Sequence, residues 1–205
     1  MHFRKPTAVV FDLGGVLLDW NPRHLYRTLF ADTAAMEAFL AEIDFYGWNR
    51  HQDWGRPFAE AVEALCADFP QHCDLIRIYP VRYQDSIAGA MMPTVALLAR
   101  LRKAKIPLFA LTNFPAGKFA ETRERFPFLG WFRDVVVSGE ERLAKPDPRV
   151  YHLLLDRIAR PAQESLFIDD SIANVEAAAA VGFDAINFTG ADRLEHELRS
   201  RGLLA

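Results

Sequence analysis

Short apolar runs recur along the chain, each closed by polar residues: Ala8-Val9-Val10-Phe11, Leu108-Phe109-Ala110-Leu111, Val135-Val136-Val137, Leu166-Phe167-Ile168 and Ala185-Ile186-Asn187-Phe188. Runs of this length, rich in branched residues and lacking polar alternation, predict parallel strands buried on both faces. Between the later runs the pattern takes the period of a helix. Val95, Leu97, Leu98 and Leu101 share one face of a stretch that Pro93 can open. The Ala-rich stretch from Ile172 to Val181 runs into Gly182, a natural C-cap. Strands alternating with helices predict an α/β fold with right-handed crossovers, its parallel sheet flanked by helices.

The first two runs lie too far apart for a single crossover helix. Residues 20–90 hold no convincing strand, yet Phe58, Val62, Leu65 and Phe69 fall at i, i+4, i+7 and i+11 between Pro57 and Pro70, a helix with a defined start and stop. The pattern predicts a core domain of residues 1–19 and 91–205, with a helical subdomain of residues 20–90 inserted after the first strand.

Composition narrows the class. The chain has 205 residues, about half of them apolar (51%), and a formal charge of -3. That suits one core domain plus a small insertion and leaves no broad basic surface for nucleic acid. The basic start Met1-His2-Phe3-Arg4-Lys5 precedes an apolar stretch, but Asp12 and Asp19 interrupt it and no cleavage site follows. No segment reaches the roughly 20 apolar residues a membrane span needs. A cytoplasmic protein is expected, with Cys66 and Cys73, whose spacing fits no zinc or redox motif, as thiols in a reducing compartment.

In open α/β sheets ligands bind beyond the carboxyl ends of the strands, so the residues following each run are the candidates for chemistry. They are Asp12 after the first, Thr112 and Asn113 after the second, Lys145 beyond the third, and Asp169 and Asp170 after the fourth. Taken alone, each has a structural reading as a cap, a turn or a solvated side chain. Together they supply what phosphoryl transfer requires. A carboxylate (Asp12) can act as nucleophile. Asp12, Asp169 and Asp170 offer oxygens of the kind Mg²⁺ prefers. Thr112, Asn113 and nearby N–H groups can hold phosphate oxygens, and Lys145 can neutralise charge on the nucleophile and the transferring group.

This ordered set resembles the haloacid dehalogenase superfamily along the whole chain. Asp12 matches its first motif, Thr112 its second, Lys145 its third, and Asp169-Asp170 its fourth. Ser138-Gly139-Glu140, Lys145-Pro146-Asp147-Pro148 and Phe167-Ile168-Asp169-Asp170-Ser171 resemble the subfamily with a cap after the first motif. The resemblance implies a Rossmann-like core, a helical C1-type cap, Mg²⁺ as cofactor, and a small phosphorylated metabolite, such as a sugar phosphate, as substrate. Most family phosphatases carry a second Asp two residues after the nucleophile, which protonates the leaving group while its carbonyl binds the metal. Here that position is Gly14, so the carbonyl remains and the acid is gone, as in a branch that includes glucose-1-phosphate phosphatases. The cap segment from Trp48 to Arg56 resembles the loop that reaches over the site. It makes Trp48, Arg50, His51 and Trp54 candidates for substrate contact and His51 a candidate replacement acid; the competing reading is cap packing and solvation. Two alternatives stand beside the phosphatase: a 2-haloacid dehalogenase, which the doubled Asp169-Asp170 opposes, and a non-catalytic binding protein on the same fold.

Overall fold

A computed structural model of the chain describes residues 5–205; the basic start Met1 to Arg4 lies outside the described residues. Among the described residues, seven strands are formed: β1 (Ala8–Phe11), β2 (Leu18–Trp20), β3 (Ile87–Ala90), β4 (Leu108–Thr112), β5 (Asp134–Val137), β6 (Ser165–Asp169) and β7 (Asp184–Asn187). Five make one sheet in the order β5-β4-β1-β6-β7, all paired in parallel. The apolar runs are these strands, and the α/β expectation holds.

Strand β1 is central and wholly buried. Its alternate side chains serve two cores, as the two-residue period of a strand requires. Val9 and Phe11 join Leu97, Leu98 and Leu101 of α6 (Met92–Lys103) and Leu194 and Leu198 of α11 (Ala191–Ser200). Ala8 and Val10 join Val150, Tyr151 and Leu154 of α9 (Pro148–Ile158) and Ala178 of α10 (Ile172–Val181). Two shorter helices, α7 (Lys118–Arg125) and α8 (Ser138–Glu141), follow β4 and β5. Helix α10 ends at Gly182, whose φ of 109° supplies the left-handed C-cap.

Between β2 and β3 lie α1 (Pro22–Tyr26), α2 (Thr33–Glu42), α3 (Phe45–Asp53), α4 (Phe58–Asp68) and α5 (Cys73–Val81). They pack on aromatic rings: Tyr79 meets Phe45 at 4.8 Å and Trp48 at 5.8 Å between centroids, and Tyr26 meets Phe45 at 5.9 Å. The strand at Ile87–Ala90 corrects the reading that this stretch has none. Ile-Ala-Gly-Ala carries no alternation of its own, and it is extended because it pairs antiparallel with β2. The two chain crossings into and out of the insertion are thereby tied together.

The cysteines also depart from expectation. The turn Pro70–His72 folds the start of α5 back on the end of α4, bringing the Cα atoms of Cys66 and Cys73 to 4.7 Å, and the two are disulfide-bonded rather than free. Among the described residues, no helix is long and apolar enough to cross a membrane.

Candidate active site

The sheet order places the ends of β1, β4 and β6 side by side, and each strand ends on or immediately before a candidate residue. Asp12 follows β1. Its Oδ1 accepts from the backbone N–H of Leu13 at 2.7 Å, which turns the carboxyl back over the strand end. Lys145 comes from the loop between α8 and α9. Its Nζ stands 2.8 Å from Asp12 Oδ1 and 2.6 Å from Asp169 Oδ2, with the lysine only 3% exposed. Burial works against the ammonium, but the two carboxylates outweigh it and raise its pKa.

Asp169 is fully buried and saturated. Besides Lys145, its Oδ1 accepts from Ser171 N–H at 2.9 Å and from Asn174 Nδ2 at 3.0 Å. Asp170 is more open. Its carboxyl is raised in pKa by partial burial and by the neighbouring Asp169, with Lys145 opposing. Burial also raises Asp12, and Lys145 only partly offsets it. Oxygens of Asp12, Asp169 and Asp170 lie within 4.8 Å of one another. One lysine against three carboxylates leaves a negative surplus. The donors are hard carboxylate oxygens, with the Gly14 carbonyl following in sequence, and a divalent cation such as Mg²⁺ fits that set. Asp169 has most of its oxygen capacity committed to Lys145, Asn174 and Ser171, so Asp12 and Asp170 are the freer ligands.

Two glycines shape this edge differently. Gly15 has φ +70°, and a Cβ there would come 2.2 Å from Asp170 Oδ2, so only glycine lets that carboxylate approach. A Cβ on Gly14 would meet nothing within 4 Å.

Thr112, the last residue of β4, is 1% exposed at the same edge. The Asn113 side chain does something the sequence did not reveal. Its Nδ2 donates to the Lys145 carbonyl and its Oδ1 accepts from the Lys145 N–H, both at 2.9 Å. The amide anticipated on phosphate is occupied with positioning the lysine.

The cap residues that line the space beside the core edge differ from those anticipated. Trp48 is in the cap core: its Nε1 donates to the Ala61 carbonyl at 3.1 Å and its ring packs on Phe45, Phe58 and Tyr79. Arg50, His51 and Trp54 are exposed, Trp54 by 52%. None of the four lines the cavity between cap and core. That cavity, of about 60 Å³, is bounded by Gly14, Leu18, Trp20, Asn49, Asp53, Tyr83, Asn113 and Phe114. Asn49 and Asp53 are four apart on α3, and that helical spacing puts both on the face turned to the core. Counting from Trp48 and Phe45 as buried positions would have pointed to them.

Fold and carboxylate cluster together define a protein of the doubly wound α/β class with its candidate chemistry at the carboxyl edge of the sheet. The chain belongs to the haloacid dehalogenase-like hydrolase family, which it matches over residues 6–182. It is 28% identical to a sesquiterpene phosphatase from Aspergillus oryzae over 94% of this chain and 94% of that protein. It is also 28% identical to a phosphoglycolate phosphatase from Mesorhizobium japonicum over 96% of this chain and 89% of the other. Its fold matches that of a HAD family enzyme from Bacteroides thetaiotaomicron with a TM-score of 0.74 at 20% identity, covering 95% of this chain and 98% of that one. A structure of that enzyme with magnesium and inorganic phosphate matches with a TM-score of 0.66 at 20% identity, covering 88% and 93%.

Proposed function

We propose that this hydrolase is a magnesium-dependent phosphatase that takes the phosphoryl group of a small phosphorylated metabolite onto Asp12. The observation that carries this reading is the Asp12 carboxylate with Lys145 Nζ 2.8 Å away and the Asp169 and Asp170 oxygens within 4.8 Å. A carboxylate nucleophile must stay ionised and approach an anion, and both demands need positive charge beside it. Lys145 supplies one such charge. Mg²⁺, held by Asp12, Asp170 and the Gly14 carbonyl with Asp169 close by, would supply the rest and neutralise phosphate oxygens.

In this reading Asp12 Oδ2, the oxygen not held by Leu13, attacks phosphorus. Lys145, together with the cation, favours the ionised form of Asp12, and Thr112 and backbone N–H groups at the strand edge hold the phosphate oxygens. Asn113 and Asp169 fix the lysine from opposite ends, backbone and ammonium. The cavity beside Gly14 is small, and its wall is largely apolar and aromatic (Leu18, Trp20, Tyr83, Phe114) with Asn49 and Asp53 as polar points, which favours a small leaving group. The relatives' names, a phosphoglycolate phosphatase and a sesquiterpene phosphatase, agree on the reaction and differ on the substrate. A halide displacement site, which needs no cation, gives the three clustered carboxylates no task.

The test is hydrolysis of p-nitrophenyl phosphate with and without Mg²⁺ by the wild type and Asp12→Asn. Magnesium-dependent turnover that vanishes in the variant supports the reading. No turnover by the wild type at saturating Mg²⁺ overturns it.

A further inference from the structure

Resting on the phosphatase reading, we propose that Asp53 of the cap is the general acid of this site, protonating the leaving group of a small alkyl phosphate seated in the cavity between Asn49, Tyr83 and Gly14. Gly14 has no side chain to donate a proton, and the space it leaves is open: no atom lies within 4 Å of the position its Cβ would occupy. That space belongs to the cavity, and the one carboxyl on the cavity wall is that of Asp53. The acid absent from the core edge is thus matched by one presented from across the cleft.

Asp53 is held there from both sides. It is the last residue of α3, and its carbonyl accepts from Ser138 Oγ of the core at 2.5 Å. Ser138 in turn accepts from Phe114 N–H at 2.9 Å, so the cap helix end is tied to the loop after β4. Gly55, two residues on, has φ +93° and packs so tightly that a Cβ would come 2.9 Å from Gly139 O. On the side-chain side, Asn49 Nδ2 donates to Asp53 Oδ2 at 3.3 Å, leaving Oδ1 for the proton. Asn49 Oδ1 is buried without a hydrogen-bond partner among the described residues, which leaves this residue with an unused acceptor beside the cavity it lines. The carboxyl is also one that holds its proton near neutrality, because burial and the charge of Asp12 push it up to about 8 against the pull of Arg50 and Lys145. His51, the sequence-based candidate for this role, is exposed and off the cavity wall.

The step balances. Asp12 Oδ2 forms a bond to phosphorus as the bond from phosphorus to the ester oxygen breaks, and the Asp53 proton passes to that oxygen, releasing the alcohol. Asp53, now a carboxylate, takes a proton from the water that attacks the phosphoryl group on Asp12. The P–O bond to Asp12 breaks, hydrogen phosphate leaves, and Asp53 is again protonated.

The experiment compares Asp53→Asn with the wild type on ethyl, 2-hydroxyethyl and glyceryl phosphate and on p-nitrophenyl phosphate. An alkoxide is a poor leaving group and needs the proton, whereas p-nitrophenolate does not. In single-turnover measurements of leaving-group release, which precede the water step common to both esters, the variant is expected to lose about 10²–10⁴-fold in rate on the alkyl esters, the usual worth of a general acid, and less than about 10-fold on the aryl ester. Adding Gly14→Asp to Asp53→Asn is expected to recover alkyl turnover by restoring an acid on the core side. Equal losses on both classes, no loss on either, or no alkyl hydrolysis by the wild type would each overturn the assignment. Failure of the phosphatase reading looks different: the wild type would not hydrolyse even the aryl ester.

Discussion

The Asn113 side chain grips the backbone of Lys145 at both ends of one residue, donating to its carbonyl and accepting from its N–H at 2.9 Å each. The strand end of β4 thereby sets where the lysine loop lies, and the lysine sets the charge on Asp12. Replacing Asn113 with Leu keeps the volume and removes both bonds. If the roughly 1–3 kcal/mol that two such bonds are worth is lost from the transition state, kcat falls about 5- to 150-fold. The change in KM is expected to be smaller, because Lys145 is displaced rather than removed. Steady-state kinetics on p-nitrophenyl phosphate check this, and an unchanged kcat would leave Asn113 without the positioning role.

Lys145 and Asp169 form a buried pair whose two halves fail differently. Asp169 is fully buried, so Lys145→Met strands its charge and is expected to cost about 3–5 kcal/mol of stability. Adding Asp169→Asn removes the stranded charge and keeps acceptor capacity for Ser171 N–H. The double variant should therefore recover most of the stability seen in urea unfolding while staying inactive, because Lys145 also serves Asp12. A double variant as unstable as the single would mean that the loss came from packing of the lysine stem.

These relationships mark the limit of what the sequence disclosed. The five strands of the parallel sheet were legible because apolar residues dominate them, and β1, β4 and β6 are buried on both faces. Asp12, Thr112, Lys145, Asp169 and Asp170 were legible because parallel topology forces strand ends to one edge. The task of the Asn113 side chain was not legible, because a bond from residue 113 to residue 145 has no sequence signal. The cap residues were misjudged for a related reason. Tryptophan, arginine and histidine attract attention by chemistry, but the face of α3 turned to the core is set by the packing of Phe45 and Trp48. That packing turns Asn49 and Asp53 inward and leaves His51 outside. The β2–β3 pair was hidden because small residues become a strand only when a partner is present.

Adjacent glycines should respond in opposite ways. Gly14→Ala adds a methyl group to open space at ordinary φ and is expected to fold normally and keep the carbonyl available to a metal. Gly15→Ala forces a residue with Cβ to φ +70° and drives the methyl into Asp170 Oδ2. Displacing that carboxylate should raise the Mg²⁺ concentration for half-maximal activity by 10-fold or more, about 1.4 kcal/mol in binding. Magnesium titrations of the two variants read this directly, and equal midpoints would mean that Asp170 is not a ligand.

The last prediction concerns how protons and Mg²⁺ compete for the same edge. Asp53 holds its proton in the folded chain up to about 8 against an ordinary 3.8, and Asp12 and Asp170 are also raised, chiefly by burial. Between those limits the folded state binds more protons than the unfolded one, so stability falls as pH rises. The contribution of Asp53 is fully present below about 4, the unfolded value of an aspartate, and is lost as pH passes through its folded value. Metal-free protein should therefore show a Tm that declines from pH 5.5 to pH 8.5, and Asp53→Asn should flatten that decline. Mg²⁺ acts on the other two carboxyls with the opposite sign. It binds the folded state and needs Asp12 and Asp170 ionised, so the Tm gain from a fixed Mg²⁺ concentration should grow with pH. Differential scanning fluorimetry at both pH values, with Mg²⁺ and with EDTA, separates the two effects. A gain independent of pH would mean that the cation binds away from these carboxylates, and a metal-free Tm that rises with pH would mean that the raised groups are not the ones governing the fold's proton balance.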